Sequence, residues 1–298
     1  MIVDCHCHAG AGDGLTGPWD TRAPLAAYLR RADAAGITHT VLFAAFSSDY
    51  ATANREVARI VAAAPGRFVG IAFVDPARDR GRVPAIVAEA VRRHGFRGIK
   101  VHRHDARITR EVCEVARAWR LPVLYDVMGD VASVRLVAQE YPEVPFVIPH
   151  LGSFADDWRA QTAFLDHLAR IPNVFTDTSG VRRFDVLVEA VRRAGPWKVL
   201  FGSDGPWLHP GVELAKIRAL HLPPGQERLI TSGNVLRLLR PAARGRRPAR
   251  APRPRAPVPS RAPLLRPAPS SEEDPWLEAA EPAARPTAHR PHVPREQP

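Results

Sequence analysis

Two histidines separated by one residue, His6 and His8, lie in the opening run Ile2-Val3-Asp4-Cys5-His6-Cys7-His8. Side chains on a strand alternate faces, so both imidazoles project to one side, while Cys5 and Cys7 are expected on the other, packed as small hydrophobes under outer helices. That alternation excludes a Cys-His-Cys-His ligand cluster and leaves half of a transition-metal site, to which a catalytic centre adds one or two ligands and a position for water. Two hydrogen-bonded core histidines would give the same pattern, so its meaning rests on what converges with it. Asp204 ends the apolar run Val199-Leu200-Phe201-Gly202-Ser203-Asp204 and is costly to bury without a partner. It reads as a metal ligand able to take a proton from bound water, with a loop cap or an arginine pair as the alternatives. His150 closes Val144-Pro145-Phe146-Val147-Ile148-Pro149-His150, where a group that titrates near neutrality suits a third ligand, an acid/base role or a structural hydrogen bond. Lys100 and His102 share a face of another apolar run and are candidates to bind an anionic substrate group, with a pairing of Lys100 to Asp126 or Asp204 as the alternative.

Such groups act together only if the chain brings them to one place. Short apolar, β-branched runs begin near Ile2, Thr38, Phe68, Phe96, Pro122, Pro145, Asn173 and Lys198, and stretches of helical period separate them, among them Leu25–Ala35, Ala53–Ala63, Val83–Arg93 and Arg110–Trp119. Eight βα units in 240 residues match the roughly 250 residues of a (β/α)8 (TIM) barrel. An open doubly wound sheet is the alternative, but no G-x-G-x-x-G turn follows the first strand. Catalytic residues of such barrels sit at the C-terminal ends of the strands, and His6, His8, Lys100, Asp126, His150 and Asp204 all fall there.

The chain has 298 residues, 45% hydrophobic and 24% charged, the balance of a globular protein. No apolar run approaches the roughly 18 residues of a membrane helix, and three cysteines make no disulfide framework, so the cytoplasm is the expected compartment. The net charge of +11 suggests a nucleic-acid partner until the chain is divided at Pro241. The last 58 residues hold 15 of the 30 prolines and eleven arginines against six acids, whereas the first 240 carry 31 basic and 25 acidic groups spread evenly. Residues 1–240 therefore read as the barrel domain and 241–298 as a disordered Pro/Arg-rich tail. With a single aromatic residue, Trp276, among its eleven arginines, the tail implies no specific nucleic-acid partner.

These residues resemble the amidohydrolase-related branch of the amidohydrolase superfamily, which includes aminocarboxymuconate-semialdehyde decarboxylase and many metal-dependent hydrolases. The likeness spans the opening H-x-H run, Asn54-Arg55-Glu56, Asp75-Pro76, Gly98-Ile99-Lys100-Val101-His102, His150-Leu151-Gly152, Asp177-Thr178-Ser179-Gly180, Phe201-Gly202-Ser203-Asp204-Gly205-Pro206 and Gly233-Asn234. It implies that His6, His8 and Asp204 bind one divalent metal, zinc first and manganese second, that His150 moves a proton beside it, and that the barrel forms homodimers. The family places a ligating histidine at the end of the fifth strand. Here Leu121-Pro122-Val123-Leu124-Tyr125-Asp126 puts Asp126 there, either as a carboxylate ligand that favours harder metals or as the mark of a metal-free variant.

The activity expected is that of a metal-dependent hydrolase. A metal-bound water attacks an ester, lactone or amide carbonyl of a small carboxylated substrate, and Asp204 or His150 accepts its proton. Lys100, or a loop arginine such as Arg103 or Arg182, holds the carboxylate. A carboxy-lyase of an unsaturated or aromatic acid is the first alternative, set second because the body lacks long inserted loops. A barrel without catalysis that binds partners is the other.

Overall fold

The computed structural model describes residues 1–13, 22–155 and 157–240. The tail from Pro241, where disorder is expected, lies outside the described residues, as do residues 14–21 and 156.

Strands and helices alternate around a closed ring. β1 (Val3–Ala11) runs parallel to β3 (His39–Ala44), and the two-residue β2 (Arg22–Ala23) pairs antiparallel with the end of β1. β4 (Phe68–Gly70) continues the ring from β3. One residue later the same stretch changes partner: Ile71 donates to Leu42 on one side, and β5 (Ala72–Phe73) pairs with β6 (Ile99–His102) on the other. From β6 the order is β7 (Val123–Asp126), β8 (Phe146–Ile148), β9 (Val174–Asp177) and β10 (Val199–Leu200), all parallel. The backbone N–H of Cys5 donates to Phe201 (3.0 Å) and that of His8 to Gly205 (2.7 Å), so the last strand position closes onto the first. With β4 and β5 forming one position, the ring has eight, and the barrel read from the sequence is the fold.

Ten α-helices lie among the described residues: α1 (Leu25–Ala34), α2 (Tyr50–Ala63), α3 (Val83–His94), α4 (Arg110–Trp119), α5 (Val131–Glu140), α6 (Trp158–Arg170), α7 (Phe184–Ala194), α8 (Pro210–Arg218), α9 (Pro224–Arg228) and α10 (Asn234–Leu238). Each of the longer ones buries one stripe, as α4 does with Val112, Cys113, Val115 and Ala116, because apolar residues three and four apart share a face. Local chemistry sets their ends. The Asp49 side chain accepts from Thr52 N at the start of α2, and Gly95 ends α3 at φ 67, a left-handed conformation glycine adopts without a Cβ clash. Buried Asn54 of α2 grips β5 from both sides, donating to Phe73 O (2.8 Å) and accepting from Phe73 N (2.9 Å). Among the described residues no helix is long and apolar enough to cross a membrane.

The lower half of the barrel interior is apolar. Cys5, Val41, Ile71, Leu124, Val147 and Leu200 line a small cavity that Val235 and Leu238 of α10 close from below. The position of Cys5 corrects the alternation expected for β1. Between Asp4 and Cys7 the register against β3 shifts by one residue, and such a bulge breaks period two. Cys5 therefore faces inward, below His6, whereas Cys7 packs outward against Tyr28, near Gly205. Both thiols are buried and burial pushes their pKa well up, so neither offers a thiolate.

Candidate active site

The polar groups occupy the upper end of the ring, where strands give way to loops. The turns there are tightly constrained: His150 (φ 59) and Leu151 (φ 53) follow β8, Met128 (φ 47) follows β7 and Asp204 (φ 55) follows β10. Left-handed backbone at non-glycine residues costs on the order of 1–3 kcal/mol each and persists where surrounding structure enforces it, commonly at functional sites.

His6, His8 and Asp204 converge. Their ligand atoms all lie within 4.8 Å of one another, with Asp204 Oδ1 3.3 Å from His6 Nε2 and 3.5 Å from His8 Nε2. The far sides of the imidazoles decide what faces inward. His8 Nδ1 meets the carbonyl of Ala44 (3.0 Å), which can only accept, so that nitrogen carries the proton. His6 Nδ1 meets Asp177 Oδ2 at 2.8 Å. Burial alone would raise the Asp177 pKa, but His6, His150 and Ser179 together bring it down to about 2, so it too accepts. In their neutral forms both imidazoles then direct Nε2 lone pairs at a carboxylate oxygen. Two nitrogens and an oxygen so placed fit a divalent cation of borderline hardness, oriented from behind in the way metal-ligating histidines are held.

Asp126 is not part of that set. A carboxylate is shorter than an imidazole, and its oxygens are taken by neighbours: Oδ1 accepts from Met128 N (2.9 Å), while Oδ2 lies 3.2 Å from His102 Nε2 and 3.3 Å from His150 Nε2. The backbone assigns the protons here. His104 N donates to His102 Nδ1 (3.0 Å), so His102 carries its proton on Nε2 and is neutral. Burial lowers its pKa, which agrees. His150 Nδ1 faces Ser179 O (2.7 Å) and its Nε2 faces Asp126, so both nitrogens meet acceptors. Burial would lower the His150 pKa, but the hydrogen bond and charge of Asp126, with Asp177 and Asp204 behind, push it up to about 9. His150 is thus an imidazolium, equipped to give a proton rather than to take one.

Asp177 and Ser179 join the two histidine groups. Asp177 Oδ1 accepts from Ser179 Oγ (2.6 Å), Ser179 N (3.1 Å) and His150 N (3.3 Å), while Oδ2 holds His6. Ser179 Oγ also lies 3.0 Å from His150 Nδ1. Asp4, buried behind the bulge, accepts from His6 N (3.1 Å), Ser203 N (2.9 Å), Ser203 Oγ and Tyr28 OH (2.7 Å), fixing β1 against the turn that carries Asp204. None of Asp4, Asp177 and Ser179 stood among the sequence candidates. For Asp177 and Ser179 the available signal was their place in the Asp177-Thr178-Ser179-Gly180 motif.

The remaining candidates divide. Lys100 lies inside the barrel and bonds to neither Asp126 nor Asp204. Arg103, a third exposed, shares Asp130 with Arg107 at the rim (3.5 and 3.1 Å), and its backbone N–H donates to Asp126 O. Aromatic rings surround these histidines: Phe43 and Trp207 each lie 4.4 Å from His8, Phe46 stacks 5.7 Å away, and Phe154 stands edge-on to His150 at 5.1 Å.

A family model described as Amidohydrolase matches residues 3–240, nearly all of the barrel. The chain belongs to this amidohydrolase family. No curated protein matches it in sequence. Among solved structures, it resembles a 2,6-dihydroxybenzoate decarboxylase complexed with 2,6-dihydroxybenzoate, at 16% identity and a TM-score of 0.64, covering 80% of this chain and 98% of that one. A dihydroxybenzoic acid decarboxylase from Polaromonas sp. JS666, with bound manganese and 2-nitroresorcinol, matches at 17% and 0.61 over 80% and 96%. A proposed 2-pyrone-4,6-dicarboxylic acid hydrolase from Pseudomonas putida matches at 21% and 0.62 over 80% and 97%. At these identities the likeness of this family member to them is one of fold.

Proposed function

We propose that the protein is a metal-dependent hydrolase acting on a carbonyl group (ester, lactone or amide) of a small molecule. The observation that carries this reading is the ligand set itself. It has three protein ligands rather than four and lies at the mouth of a barrel, as a catalytic rather than a structural metal site does. His6, His8 and Asp204 would hold the ion, zinc or manganese by their donor types, and the ion would supply Lewis acidity and a more acidic water. The chain's own groups then divide the proton work. Asp204, whose side chain is 13% exposed against 1% for His6 and 3% for His8, is the ligand most open to the mouth and takes the proton of the attacking water. His150 gives a proton to the leaving group, and Asp126 stabilises its charged form beforehand. Asp177 and Ser179 keep His6 and His150 at fixed angles to one another.

Protonated His150 also favours a second reading, a carboxy-lyase of a planar unsaturated acid. In that reaction the bond to the carboxylate breaks, its electron pair stays on carbon and takes the His150 proton, and carbon dioxide leaves. The rings of Phe46, Trp207 and Phe154 are suited to a flat substrate. Two measurements test these readings. Elemental analysis of protein purified without added metal should find about one equivalent, absent from the His6→Ala/His8→Ala variant. Little metal in the parent, with none taken up, would sink both readings. In turnover with lactones, amides and unsaturated acids, incorporation of solvent ¹⁸O marks the hydrolase, and carbon dioxide release without it the lyase.

A further inference from the structure

Lys100 is the buried group of the chamber that the proton chemistry leaves without a task. It is the second residue of β6 and 0% exposed, and its Nζ has no hydrogen-bond partner. Nζ lies 5.0 Å from the centroid of Phe43, and the same ring packs against His6 at 5.1 Å and His8 at 4.4 Å. One aromatic ring therefore separates the lysine from the metal ligands, and the amine lies inside the barrel rather than among the outer helices.

The other buried lysine shows what this fold provides when a lysine is only structural. Lys198 donates to the carbonyls of Ile171 (2.7 Å), Pro172 (2.7 Å) and Val174 (2.8 Å), one acceptor for each ammonium proton. Lys100 has no such cage. The carboxylates nearest in field, Asp126, Asp204 and Asp177, are engaged by imidazoles and supply negative potential without an acceptor for Nζ. Burial pulls the Lys100 pKa down against the field of those carboxylates, because an ammonium with its donors unmet is among the costliest arrangements in a protein interior, and oxygens of a ligand would complete it.

The donor itself points to the kind of ligand: an amine whose N–H groups all lack acceptors fits a group that offers clustered acceptor oxygens, as a carboxylate does.

We propose that Lys100 anchors an anion subsite at the inner end of the chamber, where it takes a carboxylate that stays on the substrate while another bond is cleaved. The proposal rests on this chamber being the substrate site described above, and it narrows the substrates to small carboxylic acids.

The test compares formate, acetate and benzoate with formamide, acetamide and benzamide. Binding is followed by titration calorimetry and by the fluorescence of Trp207, which packs on His8. The parent, Lys100→Met and Lys100→Gln are each measured as purified and after chelation, with metal content determined on the same samples. In at least one pair the parent should prefer the acid by tenfold or more, with and without metal, and both variants should lose that preference while keeping the parent's metal content. Lys100→Met should also raise the melting temperature, since it removes a buried amine whose donors have no partner, an outcome that a structural role would reverse. An unchanged preference in the variants, or no preference in the parent for any pair, overturns the proposal. Discrimination through Lys100 in a parent that takes up no metal would sink the metal-dependent reading and leave the subsite standing. One equivalent of metal without discrimination would do the opposite.

Discussion

Replacing Asp177 by asparagine is the sharpest perturbation of the proposed centre, because it touches no atom that would bind the ion. Four donors converge on this carboxylate: His6 Nδ1, His150 N, Ser179 N and Ser179 Oγ. An amide keeps one acceptor oxygen and puts an NH2 group where the second stood, so at least one donor faces another donor. The size of the loss follows from the titration. Lowering the carboxyl from an ordinary 3.8 to about 2 in a fully buried site corresponds to about 2 kcal/mol at 1.36 kcal/mol per unit. The folded-state pKa lies below the unfolded one, so this stabilisation is present above about pH 4 and is lost as pH falls toward 2. At pH 7 the variant should melt about 4–8 °C lower, on the scale of a domain this size. The functional consequence is larger. Without a charged acceptor His6 loses both its tautomer and its ring angle, and metal affinity should fall about 10- to 100-fold. Competition against a chromophoric chelator measures that fall. Affinity within twofold of the parent would refute the argument that His6 is oriented from behind, however far the melting temperature moved.

His150→Gln should keep its metal and lose about 10²- to 10⁴-fold in turnover, the usual worth of a positioned acid. In the parent, turnover should decline as pH rises through about 9, where the imidazolium gives up its proton; a rate that instead climbs through that range would assign His150 the role of base. Gly202→Ala would place a Cβ 3.0 Å from both Asp177 Cγ and His6 Cβ. It should weaken metal binding in the chelator assay while circular dichroism shows an intact barrel. Asn54→Ala strands the N–H and C=O of Phe73 in the core and should cost about 3 kcal/mol in urea unfolding, since each orphaned buried group costs about 1–3 kcal/mol.

Much of this site was legible in the sequence because a barrel converts one kind of position into one place. His6, His8, His150 and Asp204 each end an apolar run, and strand ends in a closed parallel ring share a mouth. The relations between strands were less legible. Asp126 looked like a ligand by its place in its own strand, yet its partners come from β6 on one side and β8 beyond it, and the register that sets His102 opposite Asp126 is a property of pairing. Asp177 reaches His6 across β10, so no local spacing connects them. The period-two reading of β1 was right for His6, His8 and Cys7 and failed for Cys5, because the bulge between Asp4 and Cys7 leaves no signature in residue type. Lys100 could be placed on the inner face from its strand alone, but only packing shows that its amine has no acceptor.

The ring closes where β1 meets the turn after β10, and His6, His8 and Asp204 straddle that closure, two from the first strand of the chain and one from the last strand position. Across it run the amide bonds from Cys5 to Phe201 and from His8 to Gly205, with Ser203 anchored on Asp4. An ion held by the triad would act as a clasp between residues almost 200 positions apart in sequence. Binding would then be linked to keeping the barrel shut, with a gain in stability that grows with the logarithm of free metal. In hydrogen exchange, removal of metal should be felt first in the amides of Cys5, His8 and Ser203, while β6 and β7 on the opposite side of the ring keep their protection.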